Sequence, residues 1–449
     1  MEKVKCIICD TVGEWENVDQ FRFKPKNMCM CKKCGFVTYP DGYKDLDKIK
    51  DHYRHEYRGN AATVNNIFSS ERKIHYHIYF LEDVFKKWKE DKKNPKVLEI
   101  GSAIGMFLNW IKTQFPNGEI AGTELTRSFV RAAFWVYQLE LKEDADFTKK
   151  HDLIISYKVA EHIPGVDVDL EKYANALTED GLLYISVPTW FGKLYNFGMS
   201  GFSLEYYFDP NHINVWSRKQ FETLLDKAGL EIIKENHNMY DDTYLCKKND
   251  KLKDKPRFID DPVKRKEDLK KVYEAGKAYE SQEFSKAISI WPNFPSAHIA
   301  NYEMNRSKIH KEGWDFILKN NIEPLLNVCP DDFHALVFVA DLQMRYDFWD
   351  DAIFTFEKAL KIRPMEANAL LGISHCLRNK ALKAKDLVDK INMYKESMGI
   401  CGLIEKNSLQ NRYDAITWIL QDAAEIPTPF EEDGKHLFKE VPIDDANNK

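Results

Sequence analysis

Short apolar runs alternate with helix-length amphipathic stretches between residues 95 and 247. The runs are KVLEI, EIAGTE, HDLIIS and LLYISV. This alternation is typical of an α/β sheet with parallel strands, because each helix carries the chain back to begin the next strand in the same direction. The pattern therefore predicts an α/β domain over residues 95–248.

Beyond residue 268 the strand pattern ends and helical periodicity continues. Pro330 and Pro364 are 34 residues apart, and an alanine follows each proline five positions later. The block 333–366 resembles a tetratricopeptide repeat in the spacing of Ala352, Phe356, Ala359 and Pro364. Small residues let two antiparallel helices approach closely, and the proline ends the second helix. We expect an all-α repeat domain over residues 269–405, and an unrelated helical bundle stays open as the alternative.

The composition is that of a soluble globular protein of two or three domains, with 449 residues, 44% hydrophobic and 30% charged. A formal net charge of −6 argues against a dedicated nucleic-acid binder, because phosphate contacts favour a basic surface. No apolar run reaches the length of about 18 residues that a membrane span needs. The N-terminal stretch MEKVKCIICD has no apolar signal-peptide core, so we expect a cytoplasmic location.

Five of the nine cysteines stand within the first 34 residues: Cys6, Cys9, Cys29, Cys31 and Cys34. In a reducing compartment, clustered cysteines indicate a metal site rather than disulfides. Cys6-x-x-Cys9 and Cys31-x-x-Cys34 each present two thiolates, and four thiolates complete a tetrahedral zinc shell. We predict a structural Zn²⁺ on these four residues, with Cys29 either replacing Cys31 or staying outside the shell.

The segment VLEIGSAIGMFL, residues 97–108, places a glycine-spaced turn between a strand and a helix. A dinucleotide-binding turn needs glycine where this chain has Ala103 and Met106. A phosphate-binding P-loop needs lysine followed by serine or threonine after its last glycine, and here Met106 follows Gly105. The sequence therefore matches neither of these phosphate-binding motifs. An acid, Glu99, ahead of small residues suits a ligand that carries an ammonium group and no phosphate.

The sequence Glu99-x-Gly101-x-Ala103-x-Gly105 resembles the first motif of class I S-adenosylmethionine (SAM)-dependent methyltransferases, with alanine at the middle glycine. Segments similar to the later motifs follow in order: IAGTELT, LKEDADF, HDLIISYKVAEHIPGV, LTEDGLLYISVP and PNHINVWSRKQFETLLDKAGLEIIKEN. The chain looks most like members with an N-terminal zinc ribbon, among them sugar C-methyltransferases. The resemblance covers roughly residues 1 to 247 and implies a Rossmann-like methyltransferase sheet that uses SAM.

The resemblance also assigns the cofactor contacts of the glycine turn. Gly101, Ala103 and Gly105 would line the methionine part of SAM, and Glu99 would sit near its amino group.

Three further segments complete the implied SAM site. Glu124, at the end of the second strand, matches the acid that holds the ribose hydroxyls, where two carboxylate oxygens accept from a vicinal diol. Asp144 or Asp146 would accept from the adenine amino group, with Phe147 packed nearby.

The catalytic candidates are His212, His162 and Tyr157. Methyl transfer from a sulfonium is an in-line displacement, so the enzyme mainly positions the acceptor and takes its proton. Ligands of open α/β sheets bind outside the carboxyl ends of the strands, where Tyr157 and His162 follow the run HDLIIS. The resemblance implies that His212 acts as a base or an acceptor-binding group. Packing and loop-ordering roles stay open for both histidines.

Nine of the 27 residues from Trp190 to Trp216 are aromatic. Such a segment after the run LLYISV predicts either a lid over a sugar or aromatic acceptor, or an insertion that packs on the sheet.

The sequence thus divides into a zinc ribbon (1–45), a helical bridge (46–94), a SAM-dependent methyltransferase domain (95–248), a linker (249–268), tetratricopeptide-like repeats (269–405), and a C-terminal helix with a disordered tail (406–449). The expected function is transfer of a methyl group from SAM to a sugar, glycan or other small-molecule acceptor. Helical repeats stand where the sugar enzymes continue with another α/β domain. Two alternatives therefore stay open: a protein methyltransferase whose repeats recruit the acceptor, and a catalytically silent assembly protein.

Overall fold

The computed structural model describes residues 4–18, 28–39, 50–51, 53–54, 77–92, 94–188, 212–237, 241–363 and 366–407. Three features singled out in the sequence lie outside these residues: the aromatic residues between 190 and 208, Pro364, and the tail 408–449.

The described strands are β1 (Trp15–Asn17), β2 (Cys29–Cys31), β3 (Val37–Thr38), β4 (Lys96–Ile100), β5 (Glu119–Thr123), β6 (His151–Tyr157), β7 (Leu177–Pro188), β8 (Asn214–Val215), β9 (Leu230–His237) and β10 (Asp241–Lys248). The described α-helices are α1 (Glu82–Asp91), α2 (Met106–Gln114), α3 (Arg127–Tyr137), α4 (Val166–Ala176), α5 (Arg218–Lys227), α6 (Pro262–Glu280), α7 (Phe284–Ile290), α8 (Pro295–Ile309), α9 (Trp314–Ile317), α10 (Glu323–Val328), α11 (Phe333–Arg345), α12 (Trp349–Ile362), α13 (Ala367–Lys383) and α14 (Leu387–Asn407).

The larger sheet has six strands in the order β5-β4-β6-β7-β10-β9. Strands β4 to β7 pair in parallel, whereas β10 runs antiparallel to both of its neighbours. A single parallel bridge between Thr123 and Lys142 adds a further contact outside β5. The four apolar runs of the sequence form β4 to β7, which confirms the predicted parallel α/β sheet.

Both faces of this sheet are covered. Leu153 packs with Phe85 of α1 and Ile111 of α2 on one face, while the next residue, Ile154, packs with Leu170 of α4 on the other. Successive strand residues point to opposite faces, so a strand buried on both sides must be continuously apolar. This is why β6 reads as an uninterrupted apolar run.

A second, antiparallel sheet has the order β1-β2-β3-β8. Its fourth strand comes from the α/β domain, where β8 lies between β7 and α5. Helix α5 begins at Ser217 with a capping box, in which Ser217 and Gln220 exchange two hydrogen bonds. The amide nitrogen of Gln220 also donates to the backbone oxygen of Cys34 at 2.7 Å. The N-terminal segment is therefore joined to the α/β domain by a shared sheet.

The two faces of this small sheet meet different parts of the chain. Cys29 and Cys31 belong to the same core cluster as the larger sheet. Met30 and Val37 belong to a cluster with Leu269 of α6 and with α7 and α8. The small sheet thus lies between the α/β domain and the first helices of the C-terminal region.

From residue 262 to residue 407 the described chain is helical. Helix α6 begins at Pro262, with Asp261 accepting from two backbone N–H groups of its first turn, so it starts within the segment predicted as the linker 249–268. In the predicted repeat block, α11 and α12 bury Ala352, Phe356 and Ala359 completely. A helical C-terminal region is confirmed, and its kinship to tetratricopeptide repeats stays a prediction. Among the described residues, no helix combines the length and apolarity that crossing a bilayer requires.

Candidate functional site

A cavity of about 1060 Å³ opens at the carboxyl ends of β4, β5 and β6. Nine of the residues predicted for the site line it: Glu99, Gly101, Ala103, Glu124, Asp144, Asp146, Phe147, Tyr157 and His162. Gly105 and His212 are not among the described lining residues. The structure thus brings segments up to about 60 residues apart in sequence to one pocket, at the place where open α/β sheets bind ligands.

Three residues of the glycine turn after β4 adopt positive φ angles. Gly101 has a φ of +69°, and a Cβ there would lie 2.5 Å from Cγ2 of Val159. Gly105 has a φ of +73° and starts α2. Ala103 between them adopts a φ of +48°, which disfavours any residue with a Cβ. Gly105 therefore shapes the turn, while Gly101 and Ala103 border the cavity itself.

Glu124 follows β5 and connects the two strand ends. One of its carboxylate oxygens accepts from the backbone N–H of Ala103 at 2.9 Å, and the other accepts from the N–H of Thr126 at 2.8 Å. Burial raises the pKa of Glu124, and these backbone donors oppose that rise. Each carboxylate oxygen can accept a second hydrogen bond, so the residue keeps acceptor capacity toward the cavity that it lines.

Glu99 is the second acid of the cavity, and its side chain is only 6% exposed. Its Oε2 is buried and has no hydrogen-bond partner among the described residues. Burial raises the pKa of Glu99 to about 8, and the nearby Glu124 carboxylate raises it further, against a lowering contribution from Ser102. A buried carboxyl oxygen without a hydrogen-bond partner is energetically unfavourable. An ammonium group could donate the hydrogen bond that Oε2 of Glu99 lacks.

The opposite end of the cavity holds the acids predicted to contact adenine. Asp144 is 78% exposed and pairs with Lys50 at 3.2 Å. Asp146 accepts from the backbone N–H of Thr148 at 3.1 Å and from its hydroxyl, and these hydrogen bonds lower the pKa of Asp146. The ring of Phe147 lies 5.4 Å from that of Tyr173. One oxygen of Asp146 is therefore already engaged in its own turn.

A pair of histidines lies beside the cavity, near the end of β6. His162 ends a 3₁₀ turn, Ala160–His162, just after β6, and its ring centroid lies 4.6 Å from that of His212. The hydroxyl of Tyr53 lies 2.7 Å from Nδ1 of His162. Oε1 of Glu161, a side chain that is 1% exposed, lies 3.9 Å from Nε2 of His162. The arrangement places an imidazole at the cavity wall with a phenol, a carboxyl group and a second imidazole beside it.

Sequence reasoning missed two residues that line this region. His77 is 5% exposed, with Nδ1 2.6 Å from the hydroxyl of Tyr184 and its ring 4.3 Å from that of Tyr157. Tyr53 also lines the cavity. Both come from the predicted helical bridge, 46–94. The only indication of their role in that segment is its high content of histidine and tyrosine.

The cysteines form a separate cluster in the small sheet. Cys6, Cys9, Cys31 and Cys34 are buried, with all four sulfurs within 4.8 Å of one another. The Sγ atoms of Cys6 and Cys34 are 3.5 Å apart, and those of Cys9 and Cys31 are 3.6 Å apart. Tetrahedral zinc with Zn–S bonds of about 2.3 Å requires sulfurs about 3.8 Å apart. The cluster draws on Cys31 rather than Cys29, although Cys29 is also buried.

The thiols of this cluster influence one another. Hydrogen bonds from Cys34 and Cys6 lower the pKa of Cys31 strongly, while hydrogen bonding with Cys31 raises the pKa of the other two thiols. One thiolate is stabilised by its neighbours, whereas four buried thiolates together need a cation.

Comparison with known protein families matches the part of the chain that holds most of the cavity. A family model described as a methyltransferase domain matches residues 74–235, just over a third of the chain. The match includes the glycine turn, both cavity acids and the two histidines. No curated protein matches the chain significantly.

Similar solved structures include a TehB-like SAM-dependent methyltransferase from Corynebacterium glutamicum, at 16% identity and a TM-score of 0.26, over 35% of this chain and 81% of that chain. An O-methyltransferase family protein from Burkholderia thailandensis matches at 15% identity and a TM-score of 0.32, over 46% and 68%. A SAM-dependent methyltransferase from Clostridium acetobutylicum matches at 14% identity and a TM-score of 0.30, over 42% and 100%. Likeness at this level carries no information about the acceptor.

Proposed function

We propose that this chain, whose residues 74–235 match a methyltransferase-domain model, transfers a methyl group from SAM to a sugar, glycan or other small-molecule acceptor. The observation that carries the proposal is the pair of acids at neighbouring strand ends. Glu99 offers a buried oxygen that has no partner among the described residues, and Glu124 offers a carboxylate oriented by two backbone donors.

In this proposal each end of SAM has its own partners. The ammonium group takes the buried oxygen of Glu99, and the ribose hydroxyls donate to Glu124. The adenine lies toward Asp144, Asp146 and Phe147. Each of these acids has one oxygen engaged, that of Asp146 by Thr148 and that of Asp144 by Lys50, so either can still accept from the adenine amino group. Bound SAM supplies an electrophilic methyl carbon, and the chain's residues position the acceptor against it.

The acceptor would lie at the side of the cavity bordered by Tyr157 and His162. We assign proton uptake to His162, because it lines the cavity and contacts Tyr53, and we place His212 behind it as the neighbouring imidazole. Tyr157, next to His77, would contact the acceptor. General-base catalysis requires such a group within hydrogen-bonding reach of the acceptor's proton.

The size of the cavity favours a small acceptor. Ligand pockets typically measure about 300–1000 Å³, so about 1060 Å³ can hold SAM together with a second small molecule. Aromatic residues at its acceptor side, including Tyr53 and Tyr157, suit the flat faces of a sugar or an aromatic ring.

We further propose that Cys6, Cys9, Cys31 and Cys34 bind a structural Zn²⁺. The support is the sulfur spacing together with the burial of all four thiols. A closed shell of four thiolates leaves no position for a reacting water, so the ion would stabilise the small sheet without taking part in the chemistry.

The helical region after residue 262 is proposed to contain tetratricopeptide-like repeats that bind a protein partner. Support comes from the packing of α12 against α13, in which Phe356 fits against Gly372; a Cβ on that glycine would meet the phenyl ring at 2.2 Å. Such close helix packing is usual where small residues recur in helical repeats.

Incubation with methyl-labelled SAM and a host extract, fractionated into small molecules, glycans and proteins, tests the function. We expect the label in the small-molecule or glycan fraction. Label in protein alone would replace the small-molecule acceptor by a polypeptide. Absence of label in every fraction, together with an unchanged melting temperature at high SAM concentration, would reject the enzyme assignment, since a ligand that binds only the folded state must raise that temperature.

A further inference from the structure

Asn214 is a buried asparagine in β8, two residues after His212, and is 3% exposed. Its side-chain nitrogen lies 2.8 Å from the backbone oxygen of Ile163 and 3.2 Å from that of Ala160. Both partners are carbonyl oxygens, which only accept hydrogen bonds. The amide group must therefore face them with its two N–H donors.

The two carbonyl groups flank the dipeptide Glu161-His162. Asn214 thereby fastens the 3₁₀ turn at both ends, before and after the residue that we propose as the base. The same asparagine belongs to the strand that follows His212. One side chain thus joins the two backbone segments that carry the histidine pair, whose rings are 4.6 Å apart.

Strand β8 is itself held by the cysteine-bearing sheet. Thr38 and Asn214 are paired in the β3–β8 register. The hydroxyl of Thr38 donates to the backbone oxygen of Ile213 at 2.9 Å, and the N–H of Tyr39 reaches the same oxygen at 3.2 Å. Ile213, between His212 and Asn214, is therefore held by two hydrogen bonds from Thr38 and Tyr39. These bonds fix the backbone next to the Asn214 side chain.

We infer that Asn214 is a positioning residue: its two hydrogen bonds set the distance and orientation of His162 relative to His212 and Glu161, and thereby the basicity of His162. The inference rests on the proposed role of the histidines in methyl transfer. Asn214 is not among the described lining residues, so it acts through the turn that it holds. Within the described part of the chain, the groups that face His162 include Tyr53, Glu161 and His212.

The test compares Asn214→Asp and Asn214→Ser with the wild-type chain. Aspartate has nearly the same shape but cannot donate to two carbonyl groups, whereas serine keeps one donor and carries no charge. Asn305→Asp is the matched control, because Asn305 also donates its amide to a backbone oxygen, that of Asn301 at 2.9 Å, but on helix α8. Circular dichroism and the Kd for SAM confirm folding in each variant.

The first readout is the pH dependence of histidine modification by diethyl pyrocarbonate, mapped to His162 and His212 by mass spectrometry. This readout needs no acceptor, so it stands even if methyl transfer is not found. We expect the midpoint for His162 to move in both Asn214 variants and to stay in place in the control. A folded Asn214→Asp protein with unchanged profiles for both histidines overturns the inference; if aspartate prevents folding, unchanged profiles in Asn214→Ser do so.

The second readout is methyl transfer to the acceptor fraction identified above. Displacement of a catalytic group by about 1 Å costs about 10²-fold in rate. We therefore expect kcat to fall by about that factor in Asn214→Asp, with the Kd for SAM changed by less than about threefold and the loss smaller in Asn214→Ser. Equal kcat in the wild type and both variants contradicts the inference. A wild-type chain without any transfer contradicts the proposed function instead.

Discussion

The buried carboxyl group of Glu99 makes a sharp prediction about the pH dependence of cofactor binding. Its pKa is raised to about 8, mainly by burial, so at neutral pH most of the empty protein carries a neutral carboxyl group there. The ammonium group of SAM needs the carboxylate. SAM binding must therefore release a proton, and the affinity must fall about tenfold for each pH unit below 8, or about 1.4 kcal/mol.

The cofactor limits the affinity at the other end of the pH range. An α-amino group loses its proton at about pH 7.7–8.0 in solution, so the attraction to Glu99 also weakens above that value. We expect the affinity to pass through a maximum near pH 8. Isothermal titration calorimetry between pH 6 and 9, in two buffers of different ionisation enthalpy, measures both the Kd and the proton released.

Substitution of Glu99 by glutamine isolates this group. Glu99→Gln keeps the side-chain shape but cannot ionise, so the affinity at pH 8 should fall by at least about thirtyfold, the lower end of the roughly 2–5 kcal/mol for a broken buried charge pair. The acid limb of the profile should flatten. Glu119→Gln serves as the control. Glu119 is an exposed carboxylate at the start of β5, at the end of that strand away from the cavity.

The same residue affects the stability of the empty protein with a defined sign. A pKa raised from 4.5 in the folded state contributes stability below pH 4.5 that is lost as the pH rises through about 8. Without SAM, Glu99→Gln should therefore be more stable than the wild type at pH 8. An affinity that is constant from pH 6 to 8, or an acid limb that survives in Glu99→Gln, would refute this account of the site.

Three further outcomes are expected. Glu124→Ala should abolish measurable SAM binding in calorimetry while the circular dichroism spectrum is retained, and tight binding by this variant would contradict the site assignment. Ala103→Gly should raise the unfolding free energy by about 0.5–1 kcal/mol in denaturant titrations, since glycine adopts the φ of +48° without strain; lower stability would show that the alanine methyl contributes packing. Cys34→Ser should reduce the bound zinc from one ion per chain to well below one in elemental analysis and lower the melting temperature, whereas wild-type protein purified without zinc would remove the metal proposal.

The parallel part of the larger sheet was predictable because its central strands, β4 and β6, are buried on both faces. An apolar run such as β6 predicts a buried strand without any information from the rest of the chain. The turn at Gly101 follows from local backbone geometry. Helix α6 was also within reach of sequence rules, because Asp261 before Pro262 is a helix-start pattern inside the segment interpreted as a linker. The density of charged residues there concealed it.

The small sheet and the histidine pair were not predictable in the same way. Strands β3 and β8 are two residues long each, too short for any alternating pattern, and they pair residues 37–38 with residues 214–215. His162 was identified by its position after a predicted strand and His212 through the family resemblance, but only this long-range pairing brings their rings together. His77 and Tyr53 enter the cavity through tertiary packing, which leaves no periodic trace in their own segment.

The position of the cysteine-bearing sheet between two cores has a consequence for how the molecule unfolds. Met30 on one side and Cys31 on the other belong to different hydrophobic clusters, yet they are neighbours on one strand. Melting of that strand exposes apolar surface of the α/β domain and of helices α6 to α8 at once. The α/β domain, the small sheet and helices α6 to α8 should therefore unfold in a single calorimetric transition. An isolated α/β domain would expose the apolar face that the small sheet covers and would be prone to aggregate through it.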